Sequence, residues 1–146
     1  RLPAVITQNI DGPHQKAGSR KLYELHGSIH RNYCQKCGRF YDAAYVKAAP
    51  GIPRCECGGV IKPDVVLYEE SLDAVTIQRS IQAISEADTL IIGGTSLVVY
   101  PAASFIDYFH GRHLVVINKS ATAREVGAEL TISAPIGEIL GQITVK

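Results

Sequence analysis

Four cysteines in two close pairs constrain this chain more than any other feature. Cys34 and Cys37 stand as C-x2-C, seventeen residues pass, and Cys55 and Cys57 stand as C-x-C. A secreted chain could use four cysteines for two disulfides. This one opens on Arg1-Leu2-Pro3-Ala4-Val5-Ile6-Thr7, which reads as the approach to a strand and not as a secretion signal. Short-spaced thiol pairs in that setting read as a metal site, with disulfide-bonded or redox thiols as the competing reading. Zinc takes four ligands tetrahedrally, and a C-x2-C turn brings two thiolates to one side of it. Cys37-Gly38 and Cys57-Gly58-Gly59 provide the tight turns such a site needs. Pro50, Gly51 and Pro53 between the pairs favour loops over a long helix. With four thiolates no position remains for water, so the expected zinc is structural and not catalytic.

Charge and length narrow the function classes. From Ser28 to Lys62, Arg31, Lys36, Arg39, Lys47, Arg54 and Lys62 face only Asp42 and Glu56, a local balance of +4. We read this as a solvated face of a small module. Over all 146 residues the balance is only +1, which argues against a dedicated nucleic-acid or anionic-membrane binder. No apolar run approaches the roughly 18 residues needed to span a bilayer. A 46% hydrophobic and 20% charged composition suits a globular domain carrying a small insert. Free thiols point to a reducing compartment, most simply the cytoplasm.

Outside the cysteine segment, apolar runs alternate with helical patterns. Strands are expected at Ala4–Thr7, Asp64–Tyr68, Thr89–Ile92, His113–Ile117 and Leu130–Ser133. Helices are expected from about Leu72 to Ala87, capped by Ser71 or Asp73, from Pro101 to about His110, over Ala121–Glu129, and from Pro135 onward. Strands apolar throughout and separated by helices imply an α/β fold, a Rossmann-like doubly wound parallel sheet. The cysteine module, residues 28–62, would be inserted between segments 1–27 and 63–146. Ligands of such sheets bind beyond the carboxyl ends of the strands. Three strand ends carry polar residues: Thr7-Gln8-Asn9-Ile10-Asp11-Gly12, Gly93-Gly94-Thr95-Ser96 and Asn118-Lys119-Ser120. Each is weak alone, and no full G-x-G-x-x-G is present. Together on one sheet edge they suggest a nucleotide site. His26, in Leu25-His26-Gly27-Ser28, is the best general-base candidate, since an imidazole can exchange a proton near neutral pH.

Taken together, these strings resemble the sirtuins, NAD-dependent protein-lysine deacylases. The resemblance rests on Thr7-Gln8-Asn9-Ile10-Asp11-Gly12, Leu25-His26-Gly27-Ser28, the four cysteines, Lys62-Pro63-Asp64-Val65-Val66, Gly94-Thr95-Ser96-Leu97 and Asn118. The C-x-C pair and Val66-Leu67-Tyr68-Glu69-Glu70 look like bacterial members. The resemblance implies that His26 is the catalytic base, with Asn9 and Asp11 beside it in the catalytic site. It implies that Gln8 and Asn9 hold the nicotinamide ribose and a water, and that Ile10 and Asp11 line the carboxamide pocket. Gly94, Thr95 and Ser96 would contact phosphate and ribose, and Asn118 the adenosine side. Val66 and Tyr68 would line the tunnel for an acylated lysine. Segments around Glu69 and Val99 would pair with the substrate peptide. One structural Zn2+ and NAD+ as co-substrate are implied.

Three departures carry expectations of their own. Pro13 stands where the family usually has Leu, and is expected to bias Gly12 toward extended geometry. Glu69 replaces a frequent Gly. Nothing here matches the family's opening strand, its Gly-Ala-Gly-type phosphate loop or its cofactor lid, and no Met is present. The reading is therefore of a partial domain that binds zinc, binds NAD poorly and exposes sheet edges. Two alternatives compete: NAD-dependent mono-ADP-ribosyl transfer, and a non-catalytic zinc-ribbon interaction module.

Overall fold

The computed structural model describes residues 2–120 and 127–144. They divide into two compact units, Arg1–Gln78 and Arg79–Lys146.

The first unit begins with β1 (Val5–Thr7), a four-residue helix α1 (Pro13–Lys16) and β2 (Leu22–Glu24). β1 and β2 run parallel, with Val5 beside Leu22 and Thr7 beside Glu24. Their carboxyl ends therefore lie side by side, and the loops that leave them start at one place. Then come β3 (Gly27–Cys34), β4 (Phe40–Asp42), the six-residue helix α2 (Ala43–Ala48) and β5 (Ile61–Val65). These strands form an antiparallel sheet in the order β4-β3-β5. Asp42 caps α2 by accepting the Tyr45 N–H at 2.8 Å. The core of this sheet is small: Cys34, Cys55 and Ile61 are buried, with Tyr41 and Val46 packed against them.

The helix α3 (Ala74–Ser85) straddles the boundary between the units. Asp73, and not Ser71, caps it, accepting the Thr76 N–H at 2.7 Å. In the second unit β6 (Thr89–Gly93), β7 (His113–Asn118) and β8 (Leu130–Ser133) form a parallel sheet in that order. A 3-10 helix (Ala102–Tyr108) joins β6 to β7, and α4 (Ile136–Leu140) follows β8. Ile92, Leu97 and Val116 form the buried cluster, flanked by Leu90, Ile106 and Leu114.

The structure corrects several local expectations and adds a strand. The strand expected over Asp64–Tyr68 lies earlier, at Ile61–Val65, and is antiparallel. Beyond it the Glu70 carboxylate accepts the Leu67 N–H at 2.9 Å, and Glu70 N–H donates to Leu67 C=O at 3.1 Å. That local turn takes the backbone groups a longer strand would need. The helix from Pro101 is 3-10 and not α: Pro101 C=O accepts both the N–H and the hydroxyl of Ser104, at 3.0 and 2.7 Å, which tightens the turn. Gly12 is left-handed (φ 75°, ψ 28°) and not extended, and Pro13 opens α1 directly after it. Leu22–Glu24, too short to show alternation, is a strand. Of the expected helix Ala121–Glu129, residues 121–126 lie outside the described residues, and 127–129 are not helical.

Candidate functional site

Loop 8–12 leaves β1 and is tied down by backbone bonds. Asn9 N–H donates to the Thr7 hydroxyl at 3.1 Å, and Leu25 N–H to Thr7 C=O at 2.9 Å. Ile29 N–H donates to Ile10 C=O at 3.1 Å, and the His30 ring nitrogen Nε2 lies 3.0 Å from Asp11 C=O. His26, half-buried, follows β2. Its Nδ1 lies 3.1 Å from Gln8 C=O. A carbonyl oxygen can only accept, so in the neutral ring the hydrogen sits on Nδ1 and Nε2 keeps its lone pair. His26 C=O accepts Val66 N–H at 3.1 Å, which brings Val66 beside it.

Gly27 is left-handed (φ 75°), and a Cβ there would collide with Asp64 C=O. Glycine thus lets β5 press directly against the residue after His26. Tyr68 is fully exposed and Glu69 stands at φ 70° on the turn after β5. The position where Gly is frequent in the resembling family therefore has a backbone that favours Gly. Asp11, assigned with His26, has its side chain in solvent, and its carbonyl meets His30.

The four cysteines meet. Their sulfurs all lie within 4.8 Å of one another, with Cys34–Cys57 at 3.5 Å and Cys37–Cys55 at 3.6 Å. A disulfide needs about 2.05 Å. Four sulfurs held tetrahedrally at the usual Zn–S length of about 2.3 Å stand about 3.8 Å apart, so the cluster fits zinc. It is the one group of three or more potential ligands found among the described residues. Its electrostatics call for a cation. Cys37 N–H holds the Cys34 thiol below its ordinary value despite burial. The Tyr41 hydroxyl, followed by Cys57 N–H, brings Cys55 down to about 6. That hydroxyl is buried and interacts with Cys55 without reaching full hydrogen-bond geometry. Gly59 N–H favours the Cys57 thiolate, but the crowd of Cys55, Cys34 and Cys37 overrides it and pushes Cys57 up to about 12. Four thiolates this close are compatible only with a positive charge between them. Gly59 makes room, since a Cβ there would meet Cys34 Sγ and the Lys36 side chain.

In the second unit, parallel register again aligns strand ends. A cleft of about 640 Å³ opens beyond β6, β7 and β8, lined by Gly94, Thr95, Ser96, Asn118, Lys119 and Ile136 among others. Asn118, 8% exposed, spends its amide on the β6 loop: Oδ1 accepts Thr95 N–H at 3.1 Å and Nδ2 donates to Thr95 C=O at 2.6 Å. Asn118 therefore holds the loop in shape, a role its sequence position alone does not show. Asn118→Ala should leave both Thr95 groups without partners and lower unfolding free energy by about 1–3 kcal/mol. Asn118→Asp should cost at least as much, since it keeps the acceptor for Thr95 N–H but sets a charged acceptor against Thr95 C=O at a buried position. Denaturant midpoints of the two variants check this. Val99 is about half exposed.

A match to the Sir2 family covers residues 1–101. The chain belongs to the Sir2 family. Among its relatives are NAD-dependent protein deacetylases of Clostridium acetobutylicum, 63% identical over 142 residues, and of Clostridium perfringens, 57% identical over 145 residues. Those matches take in 96% and 98% of this chain but 58% and 59% of the relatives, so the chain spans just under three fifths of the curated proteins it matches. A solved Sir2 structure with p53 peptide and NAD+ superposes with a TM-score of 0.84 at 36% identity, over 93% of this chain and 59% of that one. Another, with the inhibitor EX-527, 2'-O-acetyl-ADP-ribose and deacetylated p53 peptide, gives 0.86 at 38% identity, over 93% and 60%. The fold is thus the Rossmann-like α/β fold of Sir2 proteins, and the four clustered cysteines form a site within it that fits one zinc ion.

Sequence reasoning alone overlooks several residues of the cleft and of the antiparallel sheet. Ile136, Pro135 and Gly137 line the cleft because they follow β8, and the strand-end rule applied to β8 would have found them. Asn32, 1% exposed, donates its amide to Ile29 and Tyr41 carbonyls at 3.2 and 3.3 Å, and no local sequence signal marks it.

Proposed function

We propose that this chain carries the base, the zinc module and part of the nucleotide site of an NAD-dependent protein-lysine deacylase. The observation that carries the reading is the His26 Nδ1–Gln8 C=O pairing, which leaves Nε2 as a free base beside the polar loop 8–11. The deacetylase names of the relatives support it, as do the acetylated and propionylated peptides in solved Sir2 structures. NAD+, as co-substrate, supplies the ribose carbon that receives the acyl oxygen while nicotinamide leaves. His26 then takes the proton from the ribose hydroxyl that attacks the acyl carbon. Gln8 and Asn9 hold that ribose and a water, and Ile10 and Asp11 orient the carboxamide. Gly94, Thr95, Ser96 and Asn118 form the phosphate and adenosine side. Val66, Tyr68, Glu69 and Val99 meet the acyl-lysine and its peptide. One acyl-lysine, one NAD+ and one water give lysine, nicotinamide and acyl-ADP-ribose. Residues 28–62 serve as the structural zinc module between segments 1–27 and 63–146. Four unbridged thiols support a reducing, cytoplasmic setting.

The test is an acetyl-lysine peptide incubated with and without NAD, read by mass spectrometry. It is run on this chain and on the same chain extended to the length of its relatives. Acyl-ADP-ribose that appears only with NAD is the expected result. A protein mass gain of one ADP-ribose, with the peptide left acetylated, would replace deacylation by ADP-ribosyl transfer. No product from either form would move the reading to a zinc-ribbon interaction module.

A further inference from the structure

β3 breaks register just after His26. Gly27 and Ser28 oppose Val65 and Asp64, and pairing resumes only at Asn32 opposite Pro63. Ile29, His30 and Arg31 therefore form an insert with no counterpart on β5. The break falls where Pro63, which has no N–H, could not extend the ladder. The insert frees the Arg31 side chain to span two elements. Its Nε donates to Asp64 Oδ2 at 2.8 Å, and its Nη1 to Glu24 Oε2 at 2.7 Å.

Both anchors belong to the segments that flank His26. Glu24 ends β2, two residues before it. Asp64 opposes Ser28, and its carbonyl is the group against which Gly27 is pressed. The second Glu24 oxygen accepts the Gln15 amide, so that carboxylate is held from two sides. Glu24 retains only 12% of its side-chain exposure and Arg31 38%. Burial opposes the Arg31 charge, yet its two carboxylate partners raise its pKa above the ordinary value. An exposed ion pair contributes little to stability. A planar guanidinium that clamps two carboxylates at fixed angles contributes geometry instead.

We infer that Arg31 is a positioning residue for His26: its clamp on Glu24 and Asp64 fixes the segment 24–28 so that His26 Nδ1 faces Gln8 and Nε2 faces the reaction. The partners of Arg31 here are the two carboxylates, and its proposed action runs through His26. The inference rests on the reading of His26 as the base.

The experiment compares Arg31→Met, Arg31→Lys and Glu24→Gln in this chain and in the same chain extended to the length of its relatives. Two readouts are used. One is the ¹H–¹⁵N spectrum of the His26 ring, which reports the tautomer whether or not the protein deacylates anything. The other is kcat and KM for NAD and acetyl-peptide. Wild type should show the Nδ1–H tautomer. Arg31→Met should give a tautomer mixture and lower kcat by roughly ten- to a hundredfold, the scale of a misplacement near 1 Å. KM and zinc content should change little. Arg31→Lys should recover part of kcat, because an ammonium can satisfy one carboxylate but not both in the same plane. Glu24→Gln, which removes one arm at constant size, should move tautomer and kcat in the same direction. It decides the matter should Arg31→Met fail to fold. A wild-type protein without turnover would sink the deacylase reading, and the tautomer comparison would still test the clamp. A wild-type tautomer and kcat in Arg31→Met, or in Glu24→Gln where that variant decides, would overturn the inference.

Discussion

Cys55→Ser should abolish the ordered β4-β3-β5 sheet. The reason lies in what this module has for a core. Its buried cluster is Cys34, Cys55 and Ile61, so two of the three residues are metal ligands. Tyr33, Phe40 and Val60, which a larger domain would bury, are at least one-third exposed. A module with so little apolar burial needs a staple, and structural zinc provides it by coupling metal binding to folding. The metal-free cluster is also electrostatically poor, with Cys55 and Cys57 driven to opposite ends of the thiol range within a few ångströms. Changing an outer partner of a metal ligand typically weakens binding by about 10–100-fold, and losing a ligand should exceed that. The wild-type chain should hold one zinc. Cys55→Ser, or treatment with a strong chelator, should leave it metal-free. Amide hydrogen exchange across residues 27–65 should then rise to near-unprotected rates. A metal-free protein that kept wild-type protection over those residues would show the sheet to stand without zinc.

His26→Ala should leave zinc content and thermal stability close to wild type and, on the deacylase reading, remove most of the turnover of this chain extended to the length of its relatives. The His26 ring is half-buried and among the described residues makes one hydrogen bond, to Gln8 C=O, so little packing is lost with it. What disappears is the Nε2 lone pair. A positioned general base contributes about 10²–10⁴-fold, and kcat should fall by that factor while KM for acetyl-peptide stays within a few-fold. Product analysis by mass spectrometry, with zinc content measured on the same sample, checks both halves. Turnover within threefold of wild type would remove His26 from the catalytic role, whatever else the site does.

Local chemistry was legible in the sequence where a residue type can do only one thing at its spacing. Four cysteines at C-x2-C and C-x-C announce a metal cluster before any fold is known, and the sulfurs meet as that spacing requires. The apolar runs at Thr89–Ile92, His113–Ile117 and Leu130–Ser133 announce parallel strands, and all three are there. The polar residues after Thr7 fall at the end of β1 beside that of β2, and those after Gly93 and Ile117 at the neighbouring ends of β6 and β7, because parallel pairing sets carboxyl ends side by side within each sheet.

Tertiary structure decided what depends on partners far away in the chain. The run Asp64–Tyr68 has the composition of a buried parallel strand, yet its first two residues end an antiparallel one and the rest leave the ladder, because β3 is the neighbour and Glu70 takes the Leu67 N–H. Asn118 looks from sequence like a ligand-facing side chain only, and its amide also holds Thr95, 23 residues earlier, while the residue lines the cleft. Arg31 looks like one more solvated charge of a basic module, and it holds Glu24 and Asp64, the second of them 33 residues away. Periodicity and spacing report which atoms a short segment can offer. Which partner takes each donor and acceptor is settled only when distant strands are brought into register.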